Sequence, residues 1–177
     1  CAGTAGTGRR TIDERRTAPP GGRQMARYWI VVGGPEVYAK TREMGFTRQG
    51  FKSTRRVMAG KVAPGDLLAF YVTGKKQFAG TAKVTSEMAE ERTRVWSNSK
   101  KPDELYPYRV DIEPDVVLDE GDWLDAEPYH DRFTWTQKWP RKNWTLAYQG
   151  NLHEIPEMDF ALLRSDMTRQ VASSPSS

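Results

Sequence analysis

The sequence predicts an α+β fold, a small curled sheet or partly closed barrel with helices inserted between short strands. Several short apolar segments have strand character, while segments with helical spacing of apolar residues are few. Strands and helices do not alternate regularly, which argues against a doubly wound parallel sheet. With 177 residues the chain is expected to form one domain with tails, large enough to bury a core without disulfides.

The first predicted elements are a buried strand and two helices. Tyr28–Val32 is a continuous apolar run that stops at Gly33-Gly34-Pro35, as expected of a central strand. Glu36–Met44 has helical character, and Gly45 is suited to end it. Ser53–Val62 is a second, short helix in this interpretation, with Ser53 as its N-cap.

A hairpin and a polar segment follow. Ala63–Asp66 has the composition of a turn, and Leu67–Thr73 is a second apolar strand. Gly74–Lys76 is a tight connection to a third strand, Gln77–Thr85, so these two strands are predicted to pair. Met88–Lys101 is polar and charged, yet it contains Trp96.

The last third of the chain predicts a strand, irregular segments and a terminal helix. Tyr106–Glu113 alternates like a strand and is extended past Pro114 by Val116–Leu118. Glu120–His130 is either a short helix or a loop, and Leu146–Gln149 is predicted to be a short strand. Pro156–Met167 has apolar residues at helical spacing, with proline at a position typical of a first turn.

Composition divides the chain into two tails and a body. Residues 1–24 are rich in Gly, Thr, Arg and Pro, and residues 168–177 end in VASSPSS, so both are expected to be disordered around a body at 26–167. Within the body, residues 40–83 hold ten basic and two acidic side chains, and residues 84–137 hold six basic and 14 acidic ones. These blocks indicate either a basic face for a polyanion or charges that mix in space.

Signatures of catalysis are weak. No Walker A sequence, dinucleotide fingerprint or nucleophile elbow occurs, and the single cysteine, Cys1, lies outside the body. We therefore expect no metal, no cofactor and no enzymatic activity, with Asp66, Asp111 and His153 the only acid or base candidates for the alternative. The chain shows no apolar run long enough for a membrane span and no signal peptide pattern, so a cytoplasmic location is predicted.

The segment Trp135–Pro156, WTQKWPRKNWTLAYQGNLHEIP, combines four aromatic rings with three cations and ends in polar Gln149-Gly150-Asn151. Aromatic faces stack on bases, amides read hydrogen-bonding edges, and cations hold phosphates. Tryptophans more often fill cores, so this segment is either part of the core or a surface that contacts nucleic acid. Phe46 lies among basic residues and Trp96 in a polar segment, where two such rings could sandwich a base; for Trp96, closing the core beneath a loop is the alternative.

The runs YWIVVGGPEVY, RRVMAGKVAPGDLLAFYVTGKKQFAG, YPYRVDI and KWPRKNWTLAYQGNLHEIPEMDF resemble the EVE domain family. This family belongs to the PUA-like superfamily and is similar, more remotely, to YTH domains. The resemblance covers about residues 27–166. It implies a PUA-like pseudo-β-barrel of about six strands with flanking helices. It also implies binding of DNA or RNA, with a modified base flipped into an aromatic pocket.

Carried onto this sequence, the resemblance implies an aromatic cage of Phe46 and Trp96, with Tyr106 as a third wall. The base-binding residues it implies are Val32, Gly33, Gly34, Phe46, Thr47, Tyr71, Thr73, Trp96, Tyr106, Gln149 and Asn151. The phosphate-binding residues expected from the basic block are Arg48, Lys52, Arg55, Lys75 and Lys76. The chain departs from the YTH pattern in two ways: the first cage position is phenylalanine, and Gly33-Gly34 replaces polar side chains. A methylated cytosine therefore suits the implied pocket as well as a methylated adenine.

Two other functions stay open. A protein-interaction module would use the tryptophan-rich segment as its docking surface, since Trp and Arg dominate interface hot spots. An enzyme of nucleic-acid modification is the third possibility and would require a general acid or base in the pocket. The sequence decides neither between DNA and RNA nor the oligomeric state.

Overall fold

The computed structural model describes residues 26–173, and the predicted tail at 1–24 and residues 174–177 lie outside this range. The strands are β1 Tyr28–Gly33, β2 Arg48–Phe51, β3 Leu67–Val72, β4 Gln77–Val84, β5 Ala89–Glu90, β6 Tyr108–Val117, β7 Leu124–Asp125 and β8 Leu152–Ile155. The α-helices are α1 Pro35–Glu43, α2 Arg56–Ala59 and α3 Glu157–Ser173. The 3-10 helices span Ser53–Arg55, Glu120–Asp122, Glu127–Asp131 and Arg141–Tyr148.

Six of these strands form one curled sheet in the order β2-β6-β4-β3-β1-β8, with β5 paired to β6 and β7 paired to β4. Strands β1 and β3 are parallel, whereas β8 runs antiparallel to β1 on its other side. The predicted hairpin of β3 and β4 is confirmed by their antiparallel register. The predicted architecture, an α+β PUA-like pseudo-barrel with flanking helices, is confirmed.

The apolar run of β1 is explained by burial on both faces of the sheet. Trp29 and Val31 pack into one apolar cluster, and Ile30 and Val32 pack into a second cluster on the opposite side. Such a strand has no solvent face and therefore no alternation of polar residues. Asp66 lies at its start, where the buried carboxylate accepts hydrogen bonds from the Trp29 indole at 2.9 Å and from backbone N–H groups.

Three sequence-based predictions of secondary structure are wrong. Leu146–Gln149 is not a strand, because Arg141–Tyr148 is a 3-10 helix and the strand of this region, β8, begins at Leu152. Ser53 does not cap a helix with its side chain, since its Oγ donates to Glu104 instead. The terminal helix continues through Ser173 rather than loosening after Met167, and Gln170 Nε2 donates to the Asp122 carbonyl there.

Within residues 26–173, none of the helices combines the length and the apolar character that a bilayer crossing demands.

Candidate functional site

An open cleft of about 880 Å³ lies where the parallel strands β1 and β3 end. Val32, Gly33 and Gly34 form one side together with Thr73, because both strands deliver their carboxyl ends to the same edge of the sheet. Pockets of this size accommodate small ligands or parts of larger ones. The remaining sides are made by a loop before β6, by the segment before β8, and by Lys52.

The loop Asn98–Lys101 forms the second side of the cleft and is held at several points. The Glu36 carboxylate accepts hydrogen bonds from the Ser99 N–H at 2.9 Å and from its Oγ at 3.2 Å. Asn98 Nδ2 donates to the Tyr106 hydroxyl at 3.0 Å. The loop is therefore tied to α1 on one side and to Tyr106 on the other, which gives this wall a defined shape.

The segment Tyr148–Gly150 forms the third side, and Asn151 fixes it to the sheet. Asn151 Nδ2 donates to the Val32 carbonyl at 2.7 Å, and its Oδ1 accepts from the Lys52 N–H at 2.8 Å. Both ends of this amide are occupied by backbone groups. Asn151 thus joins β1, β8 and the Lys52 segment beneath the cleft.

The rim of the cleft is basic. Lys52, Lys100 and Lys101 all line it, and none of them forms an ion pair with a carboxylate of residues 26–173. Burial lowers the pKa of the Lys52 ammonium, and the positive charges of Lys101 and Arg55 act in the same direction, whereas the Glu104 carboxylate opposes them. Among residues 26–173, Glu36 is the one acidic residue that lines the cleft, and its carboxylate is engaged with Ser99. The arrangement favours an anionic ligand.

Seven of the sixteen predicted site residues lie at this cleft. The predicted residues that line it are Val32, Gly33, Gly34, Thr73, Tyr106, Gln149 and Lys52. The Gln149 side chain is exposed and makes no hydrogen bond with the described residues, so its amide can both donate and accept toward a ligand.

The predicted cage of Phe46 and Trp96 is wrong, because both rings are buried in different clusters. Phe46 is 6% exposed and packs against Tyr38 and Phe70, with ring centroids 5.8 and 5.9 Å away. Its basic neighbours in sequence extend away from this apolar environment. Phe46 therefore belongs to the core inside the curled sheet.

Trp96 is fully buried, with Arg109 over its face at 5.2 Å and Tyr106 at its edge. The indole Nε1 donates to Thr41 Oγ1 at 2.9 Å. Arg109 is itself buried and donates to the backbone carbonyls of Thr93, Leu105 and Tyr106. Trp96 thus closes the core beneath the loop, which is the alternative that the polar sequence around it had left open.

Three further predicted base contacts are structural. Tyr71 is buried and stacks on Tyr148 with centroids 4.2 Å apart, and this burial raises the pKa of Tyr71 to about 12. Thr47 is exposed, but its Oγ1 donates to the Met44 carbonyl and it does not line the cleft. The Asn151 amide is hydrogen-bonded to the Val32 carbonyl and the Lys52 N–H.

The predicted phosphate-binding residues divide into three groups. Arg48 lies 3.4 Å from Asp111 and 3.3 Å from Glu91, and Lys75 lies 3.5 Å from Glu120, so these two are ion-paired. Lys76 is exposed at the β3–β4 turn, away from the cleft. Lys52 lines the cleft, and Arg55 packs behind it against Gly150.

The acid and base candidates lie on different elements. Asp66 is engaged with β1, Asp111 pairs with Arg48 on the outer face of β6, and His153 lies in β8. None of the three lines the cleft.

Sequence reasoning missed the loop Asn98–Lys101, Glu36 and Tyr148 as site residues. The adjacent pair Lys100-Lys101 in a polar segment was the available signal for the loop. No signal in the sequence distinguishes Tyr148 from the other aromatic residues of its segment, because its place depends on the stacking with Tyr71.

A family model described as the EVE domain matches residues 27–165, nearly the whole described body. The chain belongs to the EVE domain family. This EVE domain is 25% identical over 146 residues to UPF0310 protein PH1033 of Pyrococcus horikoshii, a match that covers 77% of this chain and 95% of that protein.

Among solved structures, this EVE domain is similar to the YTH domain-containing protein mmi1 in complex with RNA, with a TM-score of 0.59 and 14% identity over 82% of this chain and 83% of that one. It is also similar to human THYN1 protein in complex with 5-methylcytosine-containing DNA, with a TM-score of 0.53 and 14% identity over 80% and 98% of the two chains. At this level of identity the likeness establishes the fold.

Proposed function

We propose that this EVE domain is a nucleic-acid-binding module that recognises a modified base, foremost a methylated one, flipped into the cleft between Gly33-Gly34 and the Gln149–Gly150 segment. The observation that carries the proposal is the cleft itself, a space of about 880 Å³ with an unpaired basic rim and a free amide. Two proteins of similar fold are described in complex with RNA and with 5-methylcytosine-containing DNA, which supports nucleic acid as the ligand class.

The mechanism requires binding alone. Lys52, Lys100 and Lys101 attract the phosphates, and the target base leaves its stack at a cost of a few kcal/mol, least when it is already unpaired. Gln149 then reads the base edge, while Tyr106 and Tyr148, which are 1% and 3% exposed, border the cleft with the small exposed part of each residue. A methyl group adds about 0.8 kcal/mol per buried carbon. Discrimination is therefore expected to be on the order of tens-fold, since one methyl contributes about 1–3 kcal/mol.

A binding role fits the site better than catalysis. The one carboxylate at the cleft, Glu36, already accepts two hydrogen bonds from Ser99. A general acid or base needs to reach the reacting atom within hydrogen-bond distance. Asp66, Asp111 and His153 do not line the cleft, so they do not supply this group.

The tryptophan-rich segment supports a protein-docking function less well. Trp135, Trp139 and Trp144 are partly buried and pack on the core cluster beneath α3. Leu146, 40% exposed, is the main apolar side chain that this segment presents to solvent. Interface hot spots need several large side chains to enter a partner, and here most of the aromatic surface is already covered.

Binding of labelled single strands tests the proposal. The strands differ at one position, cytosine against 5-methylcytosine and adenine against N6-methyladenine, in both DNA and RNA, and fluorescence anisotropy gives the Kd values. We expect one modified strand to bind on the order of tens-fold more tightly than its unmodified counterpart. Equal affinity for all strands, or no binding, would contradict the proposal.

Two variants locate the binding to the cleft. Gly34→Leu adds a side chain whose Cβ faces Thr73 Oγ1 at 3.7 Å, at a backbone φ of −77° that any residue tolerates. It is expected to remove the preference for the modified base. Lys100→Ala with Lys101→Ala is expected to weaken binding of every strand, whereas Lys83→Ala, on an exposed position of β4 outside the cleft, serves as the matched control.

A further inference from the structure

Three buried side-chain nitrogens near the start of β8 lack a hydrogen-bond partner among the described residues: Arg55 Nε, Trp135 Nε1 and His153 Nε2. Trp135 and His153 are stacked, with ring centroids 5.9 Å apart and planes inclined by 29°. A buried polar atom without a partner costs about 1–3 kcal/mol, so a group of three in one region calls for an explanation.

The same region carries unpaired positive charge. The Arg55 side chain makes no ion pair or hydrogen bond within residues 26–173, and its guanidinium packs against Gly150. Lys138 is exposed, lies 4.7 Å from the centre of the Trp139 ring, and has no carboxylate partner in the described part of the chain. Trp139 in turn contacts Trp135 edge-on at 6.0 Å. Both cations also act electrostatically on His153, so the positive charges and the unpartnered nitrogens lie in one region.

His153 adds a group whose charge depends on pH. Burial lowers its pKa, and Arg55 and Lys138 act in the same direction, while a backbone hydrogen bond to Gln149 opposes them. The nearby carboxylates have other partners: Glu154, on the opposite face of β8, lies 3.9 Å from Arg27, and Asp159 accepts from the Thr134 and Trp135 backbone. No carboxylate of residues 26–173 compensates the charges that face His153.

This group of residues adjoins the cleft. Gly150 lines the cleft with one side and contacts Arg55 with the other, and it has a φ of +86° that favours glycine. A Cβ at position 150 would overlap the guanidinium. Only the Gln149–Gly150 turn therefore separates Arg55 from the space proposed for the base.

We infer that Arg55, Trp135, Lys138 and His153 form a phosphate-binding site beside the cleft, on the other side of the Gln149–Gly150 turn. Guanidinium, indole and imidazolium N–H groups are all donors suited to phosphate oxygens. The identity of the ligand rests on the proposed function: it is the phosphodiester next to the nucleotide in the cleft. Free inorganic phosphate shares this chemistry, and the two sources are separated by experiment.

The first experiment needs no base recognition. Inorganic phosphate is titrated into the protein while the Trp135 indole N–H and His153 ring signals are followed by NMR. Both signals are expected to shift saturably, and the pKa of His153 is expected to rise when phosphate binds, because the anion stabilises the imidazolium. Arg55→Gln should abolish the shifts. Absence of a saturable shift in the wild-type protein overturns the inference and leaves the cleft proposal untouched.

The second experiment asks whether nucleic acid uses the site. Arg55→Gln and Lys138→Gln are expected to weaken binding of single-stranded oligonucleotides and to reduce the slope of log K against log salt by about 0.7 for each lost phosphate contact. Arg56→Gln, the exposed neighbouring arginine without an ion pair among residues 26–173, is the control and should bind like the wild type. The preference for a modified base should persist in all three variants.

The outcomes separate the two proposals. If the wild-type protein binds inorganic phosphate but Arg55→Gln binds oligonucleotides as tightly as the wild type, the site serves free phosphate. This result overturns the assignment of the site to a phosphate of the strand. If Gly34→Leu loses the preference for the modified base but still binds inorganic phosphate, the result supports both the cleft proposal and the phosphate site. If Arg55→Gln lowers the Tm, the same binding measurements are made with Lys138→Gln, because Lys138 is exposed.

Discussion

Trp96 shows how far a residue's role depends on its surroundings. It is fully buried, its indole N–H is bonded to Thr41, and Arg109 covers its face. This environment links α1, the loop before β6, and β6 itself. Trp96 therefore supports the wall of the cleft through its contact with Tyr106 and does not itself line the cleft.

Trp96→Ala is expected to lower the free energy of unfolding by about 3–5 kcal/mol, because it removes a large buried ring and leaves the Thr41 and Arg109 groups against a cavity. Denaturant unfolding followed by circular dichroism measures this. Trp96→Phe, which keeps a ring, should lose less. An unchanged midpoint for Trp96→Ala together with lost binding would restore Trp96 as a ligand contact.

His153 makes the stability of the free protein sensitive to acid. Its pKa in the folded protein lies below the ordinary value of 6.5 because burial disfavours the charged ring. The unfolded chain therefore binds the proton more readily. The stability that neutral His153 contributes is fully present above the unfolded pKa and is lost as the pH falls through the folded pKa.

Between about pH 7.5 and about pH 5, the free energy of unfolding is expected to fall more in the wild type than in His153→Gln. Urea unfolding at several pH values, without phosphate in the buffer, gives this difference. Parallel pH profiles for the two proteins would show that burial does not lower the pKa of His153.

At the scale of elements, β2 depends on one glycine. A Cβ at Gly50 would lie 2.7 Å from the Trp96 ring and 2.7 Å from the Tyr106 carbonyl oxygen. Both neighbours are buried and held by hydrogen bonds, so neither can move away freely. Strand β2 can therefore pair with β6 beneath the loop only because this position has no side chain.

Gly50→Ala is expected to destabilise the protein by about 1–3 kcal/mol through overpacking. Gly121→Ala is the matched control, since a Cβ there meets nothing within 4 Å. Thermal unfolding of both variants compares them. Equal Tm values for the two would mean that the loop before β6 is looser than its contacts indicate.

The elements that the sequence predicts well are those whose pattern is local. Strand β1, the β3–β4 hairpin, β6 past Pro114 and the helices α1 and α3 all have apolar periodicity or turn residues of their own. Strands β2 and β8 have four residues each and are defined by distant partners, β6 and β1, which no local pattern reveals. The residues Gly33-Gly34, Thr73 and Gln149, which the family resemblance implied, line the cleft, and their role as base contacts stays a prediction. The exposure of Phe46 and Trp96 is a tertiary property that sequence context misjudged.

At the scale of the whole molecule, basic side chains of residues 40–83 form ion pairs with acidic side chains of residues 84–137. Arg42 lies 3.5 Å from Asp119, Arg48 lies 3.4 Å from Asp111, and Lys75 lies 3.5 Å from Glu120. Each pair joins residues 40–83 to residues 84–137. The charges are therefore mixed in space for these residues, whereas Lys52, Lys100 and Lys101 line the cleft.

Oligonucleotide binding is accordingly expected to have a modest salt dependence. Contacts of Lys52, Lys100, Lys101 and Arg55 with four phosphates give a slope of about −3 for log K against log salt on a single strand. The double variant of Lys100 and Lys101 should reduce the slope by about 1.4. A slope near zero would show that phosphates are not held.

The order of strands also determines when the site exists during synthesis. Among the described strands β1 is synthesised first, yet one of its two neighbours, β8, is synthesised last. Asn151, which joins the cleft walls, is translated just before β8. A nascent chain therefore holds β1 with one edge unpaired until β8 has emerged, and the cleft is complete only after that point.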